Sequence, residues 1–193
     1  MSRIGLFGGS FNPIHLGHLR LGQWLCRKGW VDELWFLVSP LNPLKQDKSE
    51  TLLADEARLR LAELAVCGKP HLSVCDAEMH LPRPSFMVNT LRHLRQTYPQ
   101  HEFVLVIGAD NWLRFNKWKD SNEILLHHSL LVYPRPGYPI EVSALPQNVQ
   151  LVPTPLFDIS STQIRNSIAQ GHYRGLSLPR TVWSEIHRCG YYK

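Results

Sequence analysis

The sequence contains no apolar run as long as a membrane span and no segment with the pattern of a secretory signal peptide. We therefore expect a soluble, cytoplasmic protein without a membrane partner. No C-x-x-C pair is present either: the four cysteines are scattered singly, which argues against a zinc or redox motif. Buried, reduced thiols are expected at all four positions.

Clustered basic runs are also missing, although the formal net charge is +5. Excess positive charge attracts nucleic acid, membrane surfaces or polyphosphates. Because Lys and Arg are spread evenly along the chain, the sequence favours neither nucleic acid nor a membrane surface as the partner. We therefore expect phosphate-bearing small molecules as partners, and no nucleic acid.

What is present is a globular composition of 193 residues, 44% of them hydrophobic and 19% charged. This suits one domain over residues 1–193, and no repeat or linker divides it. Apolar segments predict strands at Ile4–Phe7, Leu34–Val38, Leu72–Val74, Phe103–Ile107 and Ser129–Tyr133. Helical patterns cover Gly17–Lys28, Ala54–Val66, Phe86–Thr97, Thr162–Ala169 and Arg180–Arg188. Such alternation predicts an α/β fold with a parallel sheet and helices on both faces, and Pro134–Pro155 is predicted as a long excursion.

A first chemical cluster follows the first predicted strand. Gly8 and Gly9 allow a phosphate to approach the backbone closely, and the helix near Gly17 directs its free N–H groups to the same place. His15 and His18, three residues apart at the helix start, can face one side and donate hydrogen bonds to a phosphate. The glycines alone would indicate only a tight turn. The histidines alone would suit a metal pair, but no third ligand follows at suitable spacing. The combination predicts a phosphate site.

A second cluster lies at the start of a later helix. Ser160, Ser161 and Thr162 form a capping run, and Arg165 follows one turn later with a planar fork of donors. The alternative is an ordinary helix cap with a surface arginine. Together with the first cluster, the pattern favours a second anion-binding helix start.

These two segments, H-x-G-H and I-S-S-T-x-I-R, resemble the signatures of the H-x-G-H nucleotidyltransferases. That family shares a Rossmann-like sheet with the class I aminoacyl-tRNA synthetases. The resemblance covers essentially the whole chain and implies a doubly wound parallel sheet in a single domain. It also implies that His15 and His18 are catalytic, binding the ATP phosphates and stabilising the pentavalent transition state.

Two further motifs resemble those of bacterial nicotinate-nucleotide adenylyltransferases. Gly108 and Asp110 belong to a G-x-D motif, Trp118 follows it, and Arg135 lies in an R-P-G-Y pattern. The resemblance implies that the G-x-D region contacts adenosine, that Trp118 holds the pyridine ring and that Arg135 faces the ATP phosphates. A core tryptophan and a solvated loop arginine remain the alternatives.

The resemblance implies two sets of binding residues. The ATP set comprises Gly8, Gly9, Ser10, Phe11, His15, His18, Gly108, Asp110, Arg135, Ser161, Thr162 and Arg165. The mononucleotide set comprises Asn42, Lys45, Met87 and Trp118. Lys45 matches a basic position that receives the mononucleotide phosphate. Two departures fall on this acceptor side: Leu44 stands where many members have histidine, and Met87 replaces a threonine that touches the pyridine substituent.

The function implied is adenylyl transfer from ATP to nicotinate mononucleotide, giving deamido-NAD and pyrophosphate in NAD biosynthesis. Mg²⁺ is expected to be carried by the ATP phosphates, because no carboxylate cage is visible in the sequence. The alternatives are the same chemistry on nicotinamide mononucleotide, phosphopantetheine or FMN, and a non-catalytic nucleotide-binding module. A homo-oligomer is compatible with the sequence.

Overall fold

The strands that the apolar pattern predicts form one parallel sheet. A computed structural model describes residues 1–40 and 52–193. Its strands are β1 (Ser2–Gly9), β2 (Glu33–Val38), β3 (Leu72–Cys75), β4 (His101–Gly108), β5 (Leu130–Tyr133) and β6 (Val149–Leu151). They pair in the order β3-β2-β1-β4-β5-β6, and all pairings are parallel. The predicted α/β class is confirmed. The Pro134–Pro155 excursion differs from the prediction because it contains the edge strand β6.

Helices connect the strands, as parallel pairing requires. They are α1 (Leu16–Arg27), α2 (Asp55–Val66), α3 (Ala77–His80), α4 (Met87–Thr97), α5 (Ala109–Trp112), α6 (Ser121–His127), α7 (Ser161–Ala169) and α8 (Arg180–Cys189). Short 3₁₀ turns lie at Phe115–Lys117 and Val142–Ala144. All five predicted helices are present, whereas α3, α5 and α6 were not predicted. In the described ranges, no helix is both long and apolar enough to cross a bilayer.

Hydrophobic side chains cover both faces of the sheet. On β4, Val104 and Val106 belong to one buried cluster, whereas Leu105 and Ile107 belong to the other. This two-residue alternation places the helices α1, α2, α7 and α8 on the first face and α4 and α6 on the second. Each fully buried leucine or isoleucine stabilises the fold by about 1.5–3 kcal/mol. Cys67 is exposed, so the expectation of four buried thiols is wrong.

The strand order reverses between β1 and β4, which lie side by side at the centre of the sheet. Ligands of doubly wound sheets bind beyond the carboxyl ends of the strands at such a switch point. Here β1 ends at Gly9 and β4 ends at Gly108, so the loops that follow both strands open on the same edge. The sheet therefore brings the predicted ATP residues 8–11 and the G-x-D motif to the same edge.

Candidate functional site

Two histidines stack at the start of α1. His15 is the N-cap residue, with extended backbone, and His18 is the third residue of the helix. Their ring centroids lie 3.6 Å apart with an interplanar angle of 20°. The backbone N–H of His15 donates to Nδ1 of His18 at 3.2 Å. Because Nδ1 of a neutral His18 is an acceptor, its hydrogen lies on Nε2, which is then the donor available to a ligand.

Both imidazoles are neutral at physiological pH. Burial lowers the pKa of His15 to about 3, and the positive charge of Arg135 acts in the same direction. The pKa of His18 lies well below its ordinary value, because of desolvation and the adjacent His15 and Arg135. A neutral ring still donates one hydrogen bond. The site can therefore stabilise developing negative charge through the single N–H donor of each neutral ring, without a second proton on either ring.

The absence of a side chain at Gly17 leaves space for the His15 ring. A Cβ at Gly17 would lie 3.1 Å from both Cε1 and Nδ1 of His15, which is tighter than nearly all real contacts. The ring of His18 is enclosed from another side, since the ring centroids of Phe7 and Phe11 lie 5.8 and 5.0 Å away. The glycine of H-x-G-H therefore serves the packing of the histidine rings.

Arg135 approaches this pair from the loop after β5. It donates to the hydroxyl of Tyr133 at 2.9 Å, and its Nε lies 3.6 Å from Oδ1 of Asp110. A Cβ at Gly108 would clash with the Asp110 carboxylate and come within 3.1 Å of Nε of Arg135. The predicted residues Gly108, Asp110 and Arg135 are thus in contact, and the charge of Arg135 acts on both histidines.

The second predicted cluster joins the first through the loop before α1. Arg165 donates from Nη1 to the carbonyl of Asn12 at 2.8 Å and from Nη2 to Oγ1 of Thr162 at 3.3 Å. Ser161 donates its hydroxyl hydrogen to the carbonyl of Pro13 at 2.9 Å. In this structure these side chains hold the loop, and their predicted contacts with ATP phosphates stay predictions.

The acceptor residues are partly covered by the structure. Met87 opens α4, and its terminal methyl would lie 3.0 Å from a Cβ at Gly8, so it borders the glycine turn. Trp118 is partly buried, with its ring centroid 5.3 Å from that of Phe115. Its Nε1 is buried without a hydrogen-bond partner among the described residues. Asn42 and Lys45, together with the departure at Leu44, lie outside the described residues.

Buried polar groups that sequence analysis missed lie beside these clusters. Glu78 is 2% exposed and accepts a hydrogen bond from Thr90 at 2.9 Å, and burial raises its pKa. Arg58, Asn12 and Tyr192 form further contacts close to the glycine turn. Only Asn12 carried a signal, its place within the first motif. Within residues 1–40 and 52–193, no three His, Cys, Asp or Glu side chains are grouped as a metal site requires.

The chain is similar to known proteins over most of its length. The cytidylyltransferase-like family model matches residues 6–167. A probable nicotinate-nucleotide adenylyltransferase of Bacteroides fragilis is 49% identical over 88% of this chain and 84% of its own length. One from Bacteroides thetaiotaomicron is 47% identical over 95% and 90%.

The fold is shared with a solved structure of Plasmodium falciparum nicotinic acid mononucleotide adenylyltransferase complexed with NaAD. The TM-score is 0.82 at 18% identity, with 100% of this chain and 98% of that chain covered. At this identity the likeness concerns the fold alone. The matched family model and the near-full-length relatives, however, are decisive: the chain belongs to the cytidylyltransferase-like family and, within it, to the nicotinate-nucleotide adenylyltransferases.

Proposed function

We propose that this chain transfers the adenylyl group of ATP to the 5′-phosphate of nicotinate mononucleotide, giving deamido-NAD and pyrophosphate in NAD biosynthesis. The observation that carries the proposal is the stacked, neutral pair His15 and His18 beside Arg135 at the switch point of the sheet. The pair occurs in a chain 47–49% identical, over most of its length, to relatives named for this activity.

In the proposed reaction, an oxygen of the mononucleotide phosphate attacks the α-phosphorus of ATP in line. A new oxygen–phosphorus bond forms as the bond to the bridging oxygen of the β-phosphate breaks, and pyrophosphate leaves with the electron pair. Such a transfer depends on positioning and charge stabilisation, so we assign no nucleophile to the protein.

The side chains divide this work. Nε2–H of His18 and the neighbouring His15 ring donate to the α-phosphate as its charge grows. Arg135 and Arg165 supply positive charge for the β- and γ-phosphates, together with the backbone N–H groups at the start of α7. We assign the backbone of Gly8 and Gly9 to the phosphates, with Ser10 and Phe11 following in the same turn. The Met87 methyl and the Phe11 ring fill the space where a Cβ of Gly8 or Gly9 would stand.

On the acceptor side we assign Asn42 and Lys45 to the mononucleotide phosphate, and Trp118 to the pyridine ring as a stacking surface. Met87 is assigned beside the ring substituent. Its thioether carries no hydrogen-bond donor for a carboxylate, and this observation makes nicotinamide mononucleotide the second candidate acceptor.

Mg²⁺ is expected to enter with ATP. The groups whose charge acts on the histidines are imidazole and guanidinium groups, which do not suit a cation that prefers oxygen ligands, and the nearby carboxylate of Asp110 lies 3.6 Å from Nε of Arg135. We therefore assign the ion to the triphosphate and no step to a protein-held metal. The cytoplasmic location expected from the sequence stays a prediction.

The decisive test measures pyrophosphate release with ATP and four separate acceptors: nicotinate mononucleotide, nicotinamide mononucleotide, phosphopantetheine and FMN. Mass spectrometry of the product identifies the bond formed. We expect the highest kcat/KM with nicotinate mononucleotide and deamido-NAD as the product. A higher kcat/KM with any other acceptor would replace the acceptor assignment, and no release with any of the four would overturn the proposed activity.

A further inference from the structure

Arg58, on α2, is a fully buried cation that binds the backbone of the site. Its guanidinium is 0% exposed and pairs with the carboxylate of Asp55. It also donates to carbonyl oxygens of Ser10 (2.6 Å), Ser39 (2.7 Å), Pro40 (3.0 Å) and Leu53 (3.0 Å). Burying a charge costs several kcal/mol unless it is paired and hydrogen-bonded, so the loss of any of these contacts would destabilise the buried guanidinium.

Three of the four carbonyls bound by Arg58 come from two different strand ends. Ser10 follows β1, whose glycine turn borders the histidines, and Ser39 and Pro40 follow β2. One rigid guanidinium therefore fixes the separation of these two strand ends at the edge where substrates of this fold bind. A lysine ammonium on a flexible chain cannot hold the same four acceptors in one plane.

Tyr192, which follows α8, binds the same segment at Asn12, two residues after Ser10. The Tyr192 hydroxyl donates to Oδ1 of Asn12 at 2.8 Å, and the backbone N–H of Leu53 donates to the same oxygen at 3.3 Å. Asn12 is 4% exposed, and its main-chain carbonyl accepts from Arg165. Burial raises the pKa of Tyr192, so its hydroxyl keeps the hydrogen that it donates.

We propose that Arg58 and Tyr192 are positioning residues for adenylyl transfer, which hold residues 10–13 in place between the glycine turn and the histidine pair. Residues 10–13 lie between Gly9 and the N-cap His15, so a shift of Asn12 moves the histidine pair relative to the turn. The same shift displaces the carbonyl that Arg165 binds. Neither positioning residue needs to touch substrate. This inference rests on the proposed function.

Tyr192→Phe tests the inference with the smallest change, since it removes one hydroxyl and keeps the ring. The neighbouring Tyr191→Phe is the matched control, because both rings pack against the same core and, of the two hydroxyls, that of Tyr192 donates to Asn12. We expect Tyr192→Phe to raise the KM for ATP and lower kcat. The loss in kcat/KM for ATP should be about three- to tenfold, the range that one hydrogen bond supplies. The KM for the mononucleotide and all constants of Tyr191→Phe should be unchanged.

Arg58→Lys provides an independent second test. We expect it to lower kcat by about tenfold or more at a temperature well below its melting transition, because several carbonyl bonds are lost together. Unlike Tyr192→Phe, it should raise the KM for both substrates, since Arg58 binds the loops after β1 and β2. A folded Arg58→Lys that keeps the wild-type kcat and both KM values would refute the role of Arg58.

Hydrogen exchange of residues 10–19 adds a readout that does not depend on catalysis. Exchange there should be faster in Tyr192→Phe than in Tyr191→Phe. A wild-type protein inactive on every acceptor would refute the proposed function, and the exchange rates would still test the positioning. An active wild type, with kinetics and exchange unchanged in Tyr192→Phe, would refute the positioning itself.

Discussion

Replacing Gly17 by alanine should separate catalysis from stability. The added Cβ would lie 3.1 Å from two ring atoms of His15, so the ring must move by a few tenths of an ångström. His15 stacks on His18 at 3.6 Å, and the movement passes to the second ring. A misplacement of about 1 Å costs about 10² in rate, so a ring movement of a few tenths of an ångström should lower kcat by about tenfold.

The free energy of unfolding of Gly17→Ala should rise or stay unchanged, although its kcat falls. Gly17 lies in the first turn of α1 without a positive φ, so alanine fits its backbone. Alanine is favoured over glycine within helices by up to about 1 kcal/mol. The melting temperature of Gly17→Ala should therefore equal or exceed that of the wild type.

Gly22→Ala in the same helix is the matched control. Its Cβ would lie 3.0 Å from methyl groups of Leu34 and Leu72 in the core. Overpacking of this kind costs about 1–3 kcal/mol, so Gly22→Ala should melt earlier and keep its kcat.

Pyrophosphate release with both substrates saturating and thermal melts of the two variants make the comparison. If Gly17→Ala keeps the wild-type kcat, the placement of the His15 ring does not govern the rate. If both variants lose kcat in proportion to their melting temperature, the effect is one of folding, and the assignment of the pair as catalytic loses its support.

Further predictions concern single side chains. His18→Ala should lower kcat by about 10²–10³ while calorimetry still detects ATP binding, because one donor to the developing charge is lost; a near-wild-type rate would contradict its catalytic role. Arg165→Lys should raise the KM for ATP alone, since an ammonium cannot serve both partners of the fork; a change confined to the mononucleotide KM would mean that the clusters are assigned to the wrong substrates. Lys45→Ala should raise the mononucleotide KM about threefold or more and leave that for ATP unchanged, as loss of one ion pair with the phosphate predicts; unchanged kinetics would place the acceptor phosphate elsewhere. The pKa of His15 is about 3 in the folded protein, whereas its ordinary value is 6.5. Below pH 6.5 the unfolded chain therefore binds a proton at His15 that the folded protein does not bind. Relative to His15→Gln, the wild type should lose about 1.4 kcal/mol of stability per pH unit as the pH falls below 6.5, measured by urea unfolding; parallel stability curves for the two proteins would contradict the burial of a neutral imidazole.

The central strands were predictable because they are apolar on both faces, and periodicity reports this directly. The edge strand β6 was not predictable in the same way. It has three residues, of which Val149 is buried, Gln150 is exposed and Leu151 lies between. Its conformation depends on pairing with β5, which local sequence does not encode. The short helix α6 was also not predicted. It begins after Asp120, whose backbone is left-handed, and periodicity does not reveal such a helix start.

The clusters around His15 and Arg165 were predictable because glycines, a capping run and a helix start are local features. The role of Arg58 was not, since an arginine on an amphipathic helix looks like a solvated side chain until the fold buries it. Its partner Ser10 is 48 residues away, and Tyr192 is 180 residues from Asn12. Such contacts follow from topology.

The hydrogen bonds that join Asn12 to Arg165 and Tyr192 also set an order of events in folding. The sheet uses residues up to 151, whereas the loop before α1 gains these two partners only from residues 165 and 192. Residues 165 and 192 are synthesised after all six strands, so a chain growing on the ribosome has made every strand before these two contacts can form. Local opening of α7 and α8 in the finished protein would release that loop again while the sheet stays intact.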